Sequence, residues 1–169
     1  MRLPGHDTLR LILAKRSILV EGPSDELIVQ AAFKKQHGKM PLEAGIDVIS
    51  VNSLAFKRFL EIAVLLDRKI NVVTDNDGKV AALKAKYASF IGNPKISIHY
   101  DEDETFPTLE PQLLKVNGRP AIEKILGKSF PSDADLLAFM KEYKADSALK
   151  FFTSSDPWVV PGYISSAIA

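Results

Sequence analysis

No cysteine occurs among the 169 residues. That excludes a disulfide framework and any thiolate zinc site, and leaves hard oxygen ligands as the metal chemistry open to the chain. Surplus charge is missing too: 22 lysines and arginines stand against 21 aspartates and glutamates, a net of +1 with pI near 7.9. A protein that holds nucleic acid by charge alone carries more, although such a total does not forbid a polyanionic partner. No apolar run approaches the roughly 18 residues of a membrane helix, and Met1-Arg2-Leu3-Pro4-Gly5-His6 lacks the apolar stretch of a signal peptide. These absences predict a cytoplasmic protein, or a fragment of one, with no membrane contact. There is no internal repeat and no low-complexity linker.

What remains has the makeup of an ordinary globular chain, 46% hydrophobic and 25% charged, long enough for one good core. It is organised around Ile18-Leu19-Val20-Glu21-Gly22-Pro23-Ser24-Asp25. Three consecutive apolar residues read as a buried strand ending on a carboxylate. The chain then turns at Gly-Pro, and Ser24 reads as the N-cap of a helix with acids in its first turn. A second strand end of this kind is Val72-Val73-Thr74-Asp75-Asn76-Asp77-Gly78, which delivers two carboxylates in i, i+2 relation.

In order, the pattern predicts strands over 17–21, 45–51, 69–74 and 95–100, alternating with helices over 24–37, 53–67 and 79–90; residues 1–16 carry no firm assignment. Four strand units separated by three helices give a parallel α/β sheet with right-handed crossovers. After Tyr100 the character changes. An acidic run, Asp101-Glu102-Asp103-Glu104, leads into helical windows near 108–114, 121–126, 133–152 and 162–169. The expected division is residues 1–105 as an α/β domain and 106–169 as a small helical subdomain.

Single residues have modest explanations. A first-turn acid such as Asp25 commonly compensates the helix dipole, about 0.3–1 kcal/mol, and Asp75-Asn76-Asp77-Gly78 is also the composition of a turn. Glu21 is harder to explain that way, because an acid directly after Ile-Leu-Val at a sheet's end must meet solvent, a cation or a ligand. If the first and third strands are neighbours, their ends form a topological switch point, where open α/β sheets bind ligands, and the two acid pairs meet there. The acidic run reads as a solvated loop. His6, His37 and His99 have no metal-ligand spacing, Trp158 reads as a packed loop anchor, and Gly127-Lys128-Ser129 lacks the upstream glycine of a phosphate-binding loop, position 122 being Ile.

Taken together, Val20-Glu21-Gly22-Pro23-Ser24-Asp25 and Val73-Thr74-Asp75-Asn76-Asp77-Gly78 resemble the Toprim domain of topoisomerases, bacterial primases and some nucleases. Asp25, the later Thr108-Leu109-Glu110-Pro111 and the tail Lys144-Ala145-Asp146-Ser147-Ala148-Leu149-Lys150 narrow this. With them, residues 15–169 resemble the C-terminal region of OLD-family (overcoming lysogenization defect) nucleases. The resemblance implies a Rossmann-like Toprim fold and a DNA endonuclease using two divalent ions, Mg²⁺ or Mn²⁺, with Ca²⁺ binding but supporting little cleavage. It implies Glu21 and Asp25 on one metal, Asp75 and Asp77 on the other with Glu110 helping, Lys144 at the scissile phosphate, and an N-terminal ATPase in the full-length protein. Lys57, Arg58, Lys79 and Lys144 are the expected phosphodiester contacts. Where the family has a glycine after the second strand, this chain reads Val51-Asn52-Ser53-Leu54. Two other functions suit the same acids. One is a phosphatase or phosphoryl-transfer enzyme with Asp75 as nucleophile; the other is a non-catalytic nucleic-acid-binding module.

Overall fold

Strand β1 (Arg16–Val20) lies inside a four-stranded parallel sheet of order β2-β1-β3-β4, with β2 spanning Ile46–Ser50, β3 Lys69–Val73 and β4 Ile96–His99. The structure is a computed structural model, and it describes residues 5–51 and 56–169. The expected residues Asn52, Ser53 and Leu54, including the departure from the family glycine, lie outside the described residues. Every strand is within one or two residues of its expected position. β1 and β3 are neighbours, Leu19 opposite Val72, so the switch point falls between them.

The sheet's two faces are covered by different parts of the chain. The connection from β1 to β2 runs one way and those to β3 and β4 run the other, so right-handed crossovers place their helices on opposite faces. Accordingly α2 (Pro23–His37) packs with Ile18, Val20 and Val73, while α3 (Phe56–Leu65) and α4 (Val80–Lys86) pack with Leu19, Ile70 and Val72. One helix cannot cover four strands. The rest of the α2 face is closed by the C-terminal helices α5 (Leu109–Asn117), α6 (Arg119–Leu126), α7 (Asp133–Glu142), α8 (Lys144–Thr153) and α9 (Gly162–Ile168). Ala148, Phe151, Trp158 and Ile164 belong to the same cluster as Ile18 and Val20. Trp158 is buried edge-on against Phe151, ring centroids 5.2 Å apart. α9 is held to the sheet by Asn71 of β3, whose Nδ2 donates to the Ala167 carbonyl at 2.5 Å.

Three expectations are corrected. The N-cap of α2 is Gly22, with Pro23 at the first helical position, not Ser24; Pro suits that place because its missing N–H would be unsatisfied there anyway. The window 133–152 is two helices broken at Tyr143. Leu136, Met140, Ala148 and Phe151 keep one apolar period across the break, so nothing in the pattern signals the change of direction. Residues 5–13 form a helix, α1. Arg10 ties it to the sheet, donating to both carboxylate oxygens of Asp47 (3.0 and 2.7 Å), to Glu26 (3.2 Å) and to the Val48 carbonyl (2.6 Å).

The Arg10 network yields a first prediction. Arg10→Met keeps the stem but strands two half-buried carboxylates, and should destabilise the protein by about 2 kcal/mol, lowering Tm by roughly 5 °C. Thermal unfolding followed by circular dichroism measures it; an unchanged Tm would mean the network is solvent-screened.

Candidate functional site

The carboxyl ends of β1 and β3 carry the acids. Glu21 follows β1 directly, and its Oε1 accepts a hydrogen bond from Thr74 Oγ1 at 2.6 Å, which spans the switch point. Thr74 itself continues the β3–β4 ladder, its N–H donating to the His99 carbonyl at 3.1 Å. Asp25 sits in the first turn of α2, and its Oδ2 accepts from the Gly22 N–H at 2.9 Å. Asp75 and Asp77 leave β3 in a turn where Asp77 and Gly78 both adopt the left-handed region (φ 52° and 67°). For Gly78 that conformation is natural; for Asp77 it is a strained one that the surrounding contacts must maintain.

The helical extension supplies the rest. Glu110, in the first turn of α5, is 7% exposed. It accepts from Thr108 Oγ1 at 3.1 Å and pairs with Lys144 Nζ at 3.3 Å, at the start of α8. α8 packs along α2, which carries Lys144 to the Asp25 end of that helix. The six residues singled out in the sequence are therefore in one place. Lys57, Arg58 and Lys79 are exposed.

The electrostatics follow from the crowding. Burial, with the charges of Asp25, Glu21, Glu110 and Asp77, pushes the Asp75 carboxyl up to about 8. Burial also raises Asp25, to about 6, against the opposing Gly22 hydrogen bond, with Glu21 and Glu110 adding to the rise and Lys144 opposing it. For Lys144, burial pulls downward, yet Glu110 and then Asp25 and Asp75 hold the ammonium above its ordinary range. Five acids with one lysine form a site short of positive charge.

A hard divalent cation is the complement of such a donor set. The donors are all carboxylate oxygens, and the proton retained by Asp75 stands where a cation's charge would act. Among the described residues, however, no three carboxylate or imidazole side chains are already gathered around a point that could hold an ion. Glu21, Asp25 and Glu110 are turned toward Thr74, Gly22 and Lys144, so collecting an ion takes side-chain rotation.

Residues 12–77 match the family model of the overcoming lysogenization defect protein-like TOPRIM domain. Over those residues the chain is similar to an OLD-like TOPRIM domain. In fold it is similar to solved structures of the C-terminal region of the Xanthomonas campestris pv. campestris OLD protein. The platinum-phased structure aligns at TM-score 0.66 and 22% identity over 94% of this chain and 92% of that one. The mercury-phased structure aligns at TM-score 0.65 and 22% identity, over 92% and 93%. No curated protein matches the chain. Among the described residues no helix is long and apolar enough to cross a membrane.

Three site residues escaped sequence reasoning. Thr74 and Thr108 are visible only as neighbours of Asp75 and Glu110, and a hydroxyl next to an acid is too common to single out. Tyr163 has no sequence signal at all. It comes from α9 and packs against the core, and burial, with the charges of Asp75, Asp25, Asp101 and Glu110, drives its phenol well above the ordinary range, so it stays neutral.

The Asp75 carboxyl makes stability depend on pH. In the unfolded chain it titrates near 4 and in the folded one near 8, so between these values the folded state binds more protons. Its contribution is fully present below about pH 4 and is lost as pH rises through 8. Between pH 7 and pH 9, above Asp25 and His99, the metal-free protein should lose about 1 kcal/mol, or roughly 3 °C in Tm. Asp75→Asn should remove that loss. Calorimetry in chelator checks both; a flat wild-type profile would place Asp75 in open solvent.

Proposed function

We propose that this OLD-type Toprim module is a divalent-metal-dependent DNA endonuclease, cleaving phosphodiesters by a two-metal mechanism with Mg²⁺ or Mn²⁺. One observation carries the reading: five acids and a lysine from four separate chain segments meet at the switch point, and two of the acids are raised toward neutrality by burial, with mutual repulsion adding to it. A fold has no structural need for such a cluster, and perturbed carboxyls in a cleft mark functional sites.

In this reading Glu21 and Asp25 hold one ion, and Asp75, Asp77 and Glu110 the other. Bound ions supply an activated water and neutralise the leaving oxygen. Thr74 holds Glu21 in orientation, and the Gly22 N–H does the same for Asp25. Lys144, paired with Glu110 at 3.3 Å, would stand to meet the charge developing on the scissile phosphate. Lys57, Arg58 and Lys79 contact the flanking backbone, giving salt-dependent affinity. The full-length protein joins this region to an ATPase domain and works in the cytoplasm.

A non-catalytic nucleic-acid-binding module is the second reading, and the absence of a gathered ion cage among the described residues favours it. Phosphoryl transfer through Asp75 is less well supported, because no observation favours it over the endonuclease reading.

Two measurements test the proposal. Plasmid nicking should require Mg²⁺ or Mn²⁺ and stop in excess EDTA; Glu21→Ala and Asp75→Ala should abolish it with Tm unchanged or higher, since the first removes a like charge and the second a carboxyl that burial forces to hold a proton. Nicking undiminished in EDTA removes the metal reading, and an unfolded variant makes that acid structural.

Lys144 separates charge stabilisation from simple binding. Lys144→Ala should lower single-turnover cleavage by roughly 10²–10³-fold, while DNA affinity measured in Ca²⁺ stays near wild type. Weakened binding with normal turnover would make it an ordinary phosphate contact.

A further inference from the structure

The acidic run at 101–104, expected to be a solvated loop, is built into the fold. Asn76, between the two acids of the β3 turn, is 3% exposed. Its Nδ2 donates to the carbonyls of Asp101 and Asp103 at 2.8 and 3.0 Å, and its Oδ1 accepts from the Gly78 N–H at 2.7 Å. The turn and the loop are joined twice more. The Asp77 N–H donates to the Pro107 carbonyl at 3.1 Å, and the Val80 N–H at the start of α4 donates to Glu104 Oε1 at 2.7 Å. On its far side the loop is held by α5. Lys115 Nζ pairs with Asp103 at 3.0 Å and Asp101 at 3.4 Å, and lies 4.6 Å from the Phe106 ring centroid; Gln112 Nε2 donates to the Phe106 carbonyl at 2.6 Å. α5 is the helix that carries Glu110.

We propose that Asn76 is a positioning residue: by clamping the Asp75–Gly78 turn to the 101–107 loop, it sets where Asp75 and Asp77 stand relative to Glu110. A carboxamide is suited to this. It offers two donors to the two loop carbonyls and one acceptor to its own turn, whereas Asp has no donor for the carbonyls and Ala has neither. The clamp also supplies the contacts that keep Asp77 in its left-handed conformation. The inference rests on the metal-binding reading for its consequence, but not for its geometry.

The test uses Asn76→Ala and Lys115→Met, the second at a more exposed site that loosens the loop from outside and leaves the Gly78 bond intact. In metal-free protein, amide exchange at Asp77 and in 101–107 should accelerate about tenfold or more in Asn76→Ala and less in Lys115→Met, with β1 and β3 amides unchanged. The half-saturating Mn²⁺ concentration should rise on the order of tenfold in Asn76→Ala, and cleavage lost at low Mn²⁺ should return as Mn²⁺ is raised, which misfolded protein would not do. Wild-type exchange at Asp77 and in the loop in both variants overturns the proposal, as does faster exchange with an unchanged Mn²⁺ titration. If the wild type itself holds no Mn²⁺, the metal reading fails, and amide exchange alone decides the clamp: acceleration supports it and wild-type rates overturn it.

Discussion

Like charges crowded at the end of a sheet oppose the structure that collects them, and this protein is arranged around that repulsion. Glu21, Asp25, Asp75, Asp77 and Glu110 come from segments with no common local reason to meet. They are tolerated because Glu21, Asp25, Asp75 and Glu110 each have a partner or a proton and Asp77 is exposed to solvent. Thr74 donates to Glu21, the Gly22 amide to Asp25, and Thr108 and Lys144 to Glu110, while Asp75 retains its proton at neutral pH. The arrangement therefore favours positive charge at the strand ends.

The strand order is what creates the meeting place. Because β1 lies between β2 and β3, its connection to β2 and the later connections diverge, and a crevice opens at the carboxyl ends of β1 and β3. The same order leaves the α2 face half covered. The C-terminal helices fill it, with Asn71 latching α9 and α8 lying along α2. One packing requirement thus brings Glu110 and Lys144 to the acids. The helices that complete the core and the residues that complete the site are the same segment, and neither role separates cleanly from the other.

Most of the α/β part was legible because its signals are local. Ile-Leu-Val runs buried on both faces announce parallel strands, and Gly22-Pro23 and Gly38 bound α2. Glu21 and the Asp75/Asp77 pair stood out because acids directly following buried strands have few other uses. The misreadings were local as well. α1 is short, and its place depends on the remote partners Asp47, Glu26 and Val48. The α7–α8 break leaves the apolar period intact. The 101–104 run read only as a solvated loop because a charge-rich segment does so unless its partners, the buried Asn76 and the exposed Lys115, are known.

By itself, the sequence determined the element types, the alternation that makes a parallel sheet, and the carboxylates at two strand ends, since helix and strand periods and the cost of burying an acid are properties of short stretches. Glu110 and Lys144 could be named only through family resemblance; no spacing connects them to Glu21. Tertiary structure alone decided that β1 and β3 are neighbours, that α8 delivers its lysine to the first turn of α2, that Asn76 ties two loops together, and that Asp75 holds its proton. Those outcomes depend on burial and on charges brought close from distant parts of the chain, and Coulomb interaction and desolvation are set by distance in space, which the order of residues does not contain.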